Sequence, residues 1–222
     1  MEGPSSREFE LDHLVWAVPD LQEGVKQLQV ALGIELSPGG SHLGLGTANF
    51  ILGLGNGSYL EVIGPDPLQP EHVGPRPFDV DAVAPPRLAT FAVRVEDIEA
   101  SSERLRTGGY DPGAWHDMQR VLPGGEVLGW KLTRAPTWGG GVVPFLIEWG
   151  DAVHPSSGTQ GARLERMDAA HPDPRRVSDA WAAMGLEFYV SHDLKPHLRA
   201  FVRGPAGALR LDGWRAALGP AE

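Results

Sequence analysis

The sequence predicts an α+β fold assembled from a repeated strand–helix–strand–strand–strand unit. Three observations predict it. Aspartates placed to cap helices recur at Asp20, Asp97 and Asp173, 77 and 76 positions apart. Glycines placed to stop the same helices recur at Gly33, Gly109 and Gly185, 76 and 76 positions apart. Short β-like runs, separated by glycine pairs and Pro–Gly steps, follow each helix. An aspartate side chain accepts from the orphan N–H groups of a first turn, and glycine takes the left-handed conformation that ends a helix. A fixed period shared by both signals marks a supersecondary unit used more than once.

The elements follow in order. In DLQEGVKQLQVALG, Glu23 stands three residues after Asp20 as in a capping box, and Leu21, Val25, Leu28 and Leu32 share one helical face. DIEASSERLRTGG turns Ile98 and Leu105 inward. DPRRVSDAWAAMG has Pro174 at the favoured first helical position and a Val177, Trp181 and Met184 stripe. The strand-like runs LDHLVWAV, RLATFAVRV and ARLERMDA precede the three helices. The runs HLGLGTANF, FILGLG and SYLEVIG follow the first, EVLGWKLTR and VPFLIEWG the second, and LEFYV, HLRAFVRG and ALRLDG the third. Module 1 therefore spans 8–66, a Pro-rich linker 67–85, module 2 86–152 and a βαβββ-like module 3 160–216. Module 2 carries an insertion, because Gly109 to Glu148 is 39 positions where Gly33 to Glu61 is 28. Trp115, His116, Trp130 and Trp138 fall within it.

Composition narrows the function. The 222 residues hold 29 acidic and 19 basic side chains, a formal charge of −10, which disfavours nucleic acid and anionic membrane as partners. With no cysteine, disulfides, thiol nucleophiles, iron–sulfur clusters and Cys-ligated zinc are excluded. No apolar run approaches membrane-spanning length, and MEGPSSREFELDHL lacks the order of a secretory signal, so a cytoplasmic protein is expected. GLGTAN lacks the strand–turn–helix setting of a dinucleotide loop.

The duplicated βαβββ unit, with LDHLVWAVPDL at 11–21, PGGSHLGLGTANFIL at 38–52, SYLEVIGPD at 58–66, PFLIEWGD at 144–151 and HPDP at 171–174, resembles the vicinal oxygen chelate superfamily, in its glyoxalase-like branch. The resemblance implies that paired modules curl into a half-open mixed-sheet barrel around a divalent metal chelated by substrate oxygens. It also admits metal-free binders. Carried over position by position, it makes His13, Glu61 and Glu148 the metal ligands, with Glu61 and Glu148 as catalytic carboxylates. The fourth position falls on Thr90, and its counterpart in module 3 on Arg166, neither a good ligand.

The residues add their own argument. A histidine in an apolar strand needs partners for its ring nitrogens, and His13 alternates with Leu11, Val15 and Ala17. Glu61 and Glu148 stand between apolar residues, where an uncompensated carboxylate costs several kcal/mol, so a shared cavity accounts for all three. Carboxylates paired with Arg94 or Arg134 are the structural alternative. Without sulfur, the set suits Zn, Ni, Mn, Fe or Co. His42, in the Gly-rich run, and Trp115, Trp130 and Arg134, in or beside the insertion, are candidate substrate-binding residues. His154 and His171 are expected at the surface and before a helix cap.

Two functions follow from this reading. One is a metal-dependent lyase or isomerase on a small oxygen-chelating metabolite. The other is a metal-free small-molecule binder of the same fold, sequestering or sensing its ligand. Modules pair, so the third is expected to dock on a barrel made by the first two or to pair across a homodimer.

Overall fold

The computed structural model describes residues 8–157 and 160–212. The N-terminal residues 1–7, part of the connector before module 3 and that module's end at 216 lie outside the described residues.

The described residues form twelve strands and three α-helices. Strand β1 (Glu10–Ala17) leads into α1 (Leu21–Leu32), then β2 (Ser37–His42), β3 (Thr47–Gly55) and β4 (Ser58–Pro65). The second unit runs β5 (Arg87–Arg94), α2 (Ile98–Thr107), β6 (Trp115–Val121), β7 (Val127–Thr133) and β8 (Phe145–Glu148). The third runs β9 (Arg163–His171), α3 (Pro174–Ala183), β10 (Tyr189–His192), β11 (His197–Gly204) and β12 (Gly207–Asp212). Each helix starts where its aspartate accepts a backbone N–H: Asp20 from Glu23, Asp97 from Ala100 and Asp173 from Arg176.

The first two units close into one mixed-sheet barrel in the order β1-β4-β3-β2-β6-β7-β8-β5, with β5 returning to β1. Within each unit the first strand pairs parallel to the last, β1 with β4 and β5 with β8, while β1 and β5 run antiparallel. At the opposite seam β2 meets β6 at Ser41↔Val121. Gly40 makes that approach possible: at φ 138° it has no Cβ, and one placed there would stand 2.2 Å from the Val121 carbonyl oxygen.

The strands differ from the sequence reading in three places. β2 is SPGGSH and β3 runs unbroken through TANFILGLG, because Gly44 and Gly46 at φ 76° and 65° turn the chain between them. The stretch WHDMQRV, read as insertion, is strand β6. In β1, Leu11 pairs with Val93 and His13 with Ala92, leaving Asp12 as a bulge. The bulge breaks the alternation, so Leu11 packs against the outer core while His13 faces the barrel interior.

Two apolar cores result. One fills the space between the barrel's outer surface, the helices and the third unit, and includes Leu14, Trp16, Leu60, Phe91 and Trp181. The other lies inside the barrel, with Val15, Ile51, Tyr59, Phe145 and Ile147. The third unit keeps the element order but not the wiring, since its sheet runs β10-β9-β11-β12 with the first strand internal. It docks on the same chain's barrel. Trp181 sets its ring edge against Phe91 at 5.7 Å and donates Nε1–H to the Val142 carbonyl at 2.9 Å. Among the described residues no helix is long and apolar enough to cross a membrane.

Candidate functional site

A cavity of about 930 Å³ occupies the barrel interior. His13, His42, Tyr59 and Glu61, all from the first unit, form much of its buried polar lining. Trp130, Phe145, Ile147 and Trp149, from the second, form an aromatic and aliphatic wall. The Pro-rich linker (Pro75 to Asp79) and the start of β11 (His197, Leu198) border it as well.

The geometry around His13 starts at the bulge. Asp12 is 0 % exposed, and its Oδ1 lies 2.6 Å from His13 Nδ1. Its Oδ2 accepts from Trp149 Nε1 at 3.0 Å and from His154 Nε2 at 2.7 Å. Burial alone would raise the Asp12 pKa, but the hydrogen bonds and charges of His13 and His154 hold it well below the usual carboxylate range. An ionised carboxylate only accepts, so His13 Nδ1 carries a proton toward Asp12 and Nε2 is turned toward the cavity. There Nε2 stands 3.7 Å from Glu61 Oε2. Tyr59 stacks on the imidazole at 4.7 Å and an interplanar angle of 20°, fixing the ring plane. Burial, reinforced by Asp12 and Glu61, pushes the Tyr59 phenol well up, so it stays protonated.

Glu61 and His42 form the second polar group. Glu61 Oε1 accepts from Asn49 Nδ2 at 2.5 Å and lies 3.9 Å from His42 Nε2. Asn49 can reach it because Gly39 has no side chain: a Cβ there would stand 2.1 Å from Asn49 Oδ1. His42 Nδ1 lies 3.1 Å from Thr47 Oγ1. Burial pushes the His42 pKa down and Arg120 pushes it further, against the pull of Glu61, so the ring is neutral at neutral pH.

The structure therefore brings His13, Glu61, His42, Trp130 and Arg134 to one cavity. It does not bring Glu148 or Trp115 there. Phe145, Ile147 and Trp149 face the interior, so Glu148 between them faces out. Its Oε2 accepts from Ile98 N at 2.8 Å, at the start of α2, and its Oε1 from Lys131 Nζ at 3.1 Å. Trp115 packs on the outer core beneath the Lys131 ammonium, 5.2 Å from its ring centre. Arg94 pairs with Glu10, and neither of the two glutamates pairs with Arg94 or Arg134. A metal held by His13, Glu61 and Glu148 does not fit this arrangement, because the third ligand is on the far side of β8 and Ile147 takes the inward place. Among the described residues, no group of three or more His, Asp or Glu side chains is placed to hold an ion.

Sequence reasoning missed the role of His154 and the presence of Arg120, while Thr90, named there as the fourth ligand position, is in the lining. His154, expected at the surface, binds the buried Asp12. Arg120 and Thr90 both line the cavity, and Thr90 Oγ1 is buried without a partner. The alternation of His116, Met118 and Arg120 along β6 was the available signal. His171 caps β9, with its ring edge against Trp138 at 6.1 Å.

A family model described as a glyoxalase-like domain matches residues 11–185. The chain belongs to the glyoxalase-like domain family. Solved structures resemble its fold. A hypothetical protein from Staphylococcus aureus is 15% identical over 93% of this chain and 87% of its own, with a TM-score of 0.61. A 4-hydroxymandelate synthase variant from Streptomyces coelicolor is 14% identical over 97% of this chain and 66% of its own, with a TM-score of 0.51. A methylmalonyl-CoA epimerase from Mycobacterium tuberculosis is 22% identical over 65% of this chain and 91% of its own, with a TM-score of 0.43. A search of curated protein sequences finds no match.

Proposed function

We propose that this glyoxalase-like chain is a proton-transfer enzyme of the isomerase or lyase type, acting on a small oxygen-bearing molecule held inside the barrel. The observation that carries the reading is the Asp12–His13 pair, 2.6 Å apart, with His13 Nε2 turned to the cavity and facing Glu61. Asp12 fixes the tautomer and orientation of a general base, the role a buried carboxylate plays behind a catalytic imidazole. In the proposed step His13 Nε2 takes a proton from the carbon beside a carbonyl. The C–H electron pair moves onto the carbonyl oxygen, giving an enolate. The imidazolium, its charge balanced by Asp12 and Glu61, then returns the proton to the same carbon, on the same or the opposite face. The step uses only groups of this chain, and nothing in it is routed through a metal.

Incubation in heavy water with short 2-oxo and 2-hydroxy acids, followed by NMR, tests the reading. Deuterium is expected at the carbon beside the oxygen function, unchanged by a chelator. His13→Asn is expected to slow incorporation by at least about 100-fold, within the usual range for losing a general base. No incorporation into any candidate, or a His13→Asn protein as active as the parent, overturns it.

A metal-free binder is the second reading, and one observation favours it: Trp130 and Trp149 meet at 5.3 Å to form an aromatic wall suited to holding an apolar ligand surface. Saturable quenching of tryptophan fluorescence by a ligand that undergoes no deuterium exchange would select this reading.

A further inference from the structure

Arg120 forms no ion pair among the described residues. It sits on β6, its residue is 4 % exposed, and it lines the cavity. No hydrogen bond to it occurs among the described residues either, and its Nε is buried without a partner. Guanidinium remains charged at any physiological pH, and placing that charge in a low-dielectric interior without a partner is strongly unfavourable. The other arginines lining the cavity differ in this respect or in their burial. Arg76 pairs with Asp81 and Arg87 with Asp79, while Arg134 is exposed to solvent. One further polar atom of the cavity lining, the Thr90 hydroxyl, is also buried without a partner. An unmet hydroxyl donor and an unpaired guanidinium in one cavity describe an absent anion that accepts hydrogen bonds.

We propose that Arg120 is the anchor for a substrate carboxylate, which makes the ligand a short carboxylic acid with a second oxygen function next to it. A planar fork of N–H donors matches a carboxylate bidentately. Ser41 pairs with Val121 where β2 meets β6, so His42 and Arg120 line the cavity from adjacent strands, and His42 Nε2 lies 3.9 Å from Glu61 Oε1. A carboxylate held by Arg120 therefore enters the cavity beside the strand that carries His42. The inference rests on the proton-transfer reading for its choice of site but not for its test.

The test is binding, read by quenching of tryptophan fluorescence, since Trp130 and Trp149 line the cavity. Pyruvate, 2-oxobutanoate and lactate are the probes, against their methyl esters and inorganic phosphate. Saturable binding of the acids is expected, with the esters at least tenfold weaker. Arg120→Met is expected to weaken the acids at least tenfold, and Arg120→Lys to restore part of the loss. Ligand-free Arg120→Met is expected to melt above the parent, because an unpaired buried charge has been removed. A structural arginine would give the opposite shift. Esters bound as tightly as acids, phosphate bound in preference to every acid, unchanged binding in Arg120→Met, or no saturable acid overturns the proposal. The two ideas fail separately. Acids that bind through Arg120 without deuterium exchange remove the proton-transfer reading alone, and exchange lost in His13→Asn but kept in Arg120→Met removes the anchor alone.

Discussion

Asp12 and His13 are adjacent in sequence, yet the bulge in β1 lets the Asp12 carboxylate reach the His13 ring at 2.6 Å while also holding Trp149 and His154. Three N–H donors, one from the next residue and two from the distant Trp149 and His154, thus end on one buried carboxylate. An asparagine in its place offers one oxygen and turns an amide N–H toward the remaining donors. Asp12→Asn is expected to lower stability by about 3 kcal/mol, the scale for orphaning one side of a buried charged network. Urea unfolding measures it, and a loss under about 1 kcal/mol would show that the network contributes little.

The same carboxylate sets an acid limit. Its folded pKa is depressed below the ordinary aspartate value of 3.8, so its stabilisation is complete above that value and is lost as pH falls through the depressed one. Thermal melts from about pH 5 down to about pH 2 are expected to fall more steeply for the parent than for Asp12→Asn. Parallel curves would contradict this.

His42 acts at milder pH with a definite sign. Its folded pKa lies below the ordinary 6.5, so the unfolded chain takes up a proton that the folded chain refuses. Stability therefore drops as pH falls through about 6.5, and His42→Gln is expected to flatten melts taken between about pH 7.5 and about pH 5.5. An unchanged slope would mean that His42 is not held neutral by its burial.

Gly40 holds the barrel's weaker seam. Gly40→Ala combines a φ of 138° with a contact of 2.2 Å to the Val121 oxygen, and is expected to cost about 3 kcal/mol. Gly44→Ala, at φ 76° with nothing within 4 Å, is expected to cost about 1 kcal/mol from backbone strain alone. Equal losses in denaturant melts would show that backbone conformation, not the approach of β6, decides the effect.

Trp181 joins the third unit to the barrel. Trp181→Ala is expected to destabilise by about 4 kcal/mol through the cavity left against Phe91 and the unmade bond to Val142. Limited proteolysis should then cleave the 154–161 connector sooner than in the parent, and an unchanged digestion pattern would contradict the docking role.

What the sequence made legible follows the physics of each element. The helices could be read because their ends are chemical: Asp20, Asp97 and Asp173 each cap as their spacing implied. Strand β6 could not, since hydrophobic alternation marks faces that pack against apolar neighbours, and WHDMQRV turns His116, Met118 and Arg120 into an open cavity. Glu148 is the converse case. Alternation of Phe145, Ile147 and Trp149 was visible in the sequence and already set Glu148 on the opposite face. The bulge at Asp12 left no such trace, because one extra residue in a strand has no composition of its own.

The origin of the cavity lining in two non-identical halves has a stereochemical consequence. His13, His42 and Glu61 come from the first unit, while Trp130, Phe145, Ile147 and Trp149 come from the second. A molecule whose carboxylate meets Arg120 and whose hydrocarbon end meets the Trp130–Trp149 wall, with His13 on the other unit, has one orientation only. Mirror-image ligands would then present opposite faces to His13, so the site should distinguish enantiomers and exchange only one of two hydrogens on a prochiral carbon.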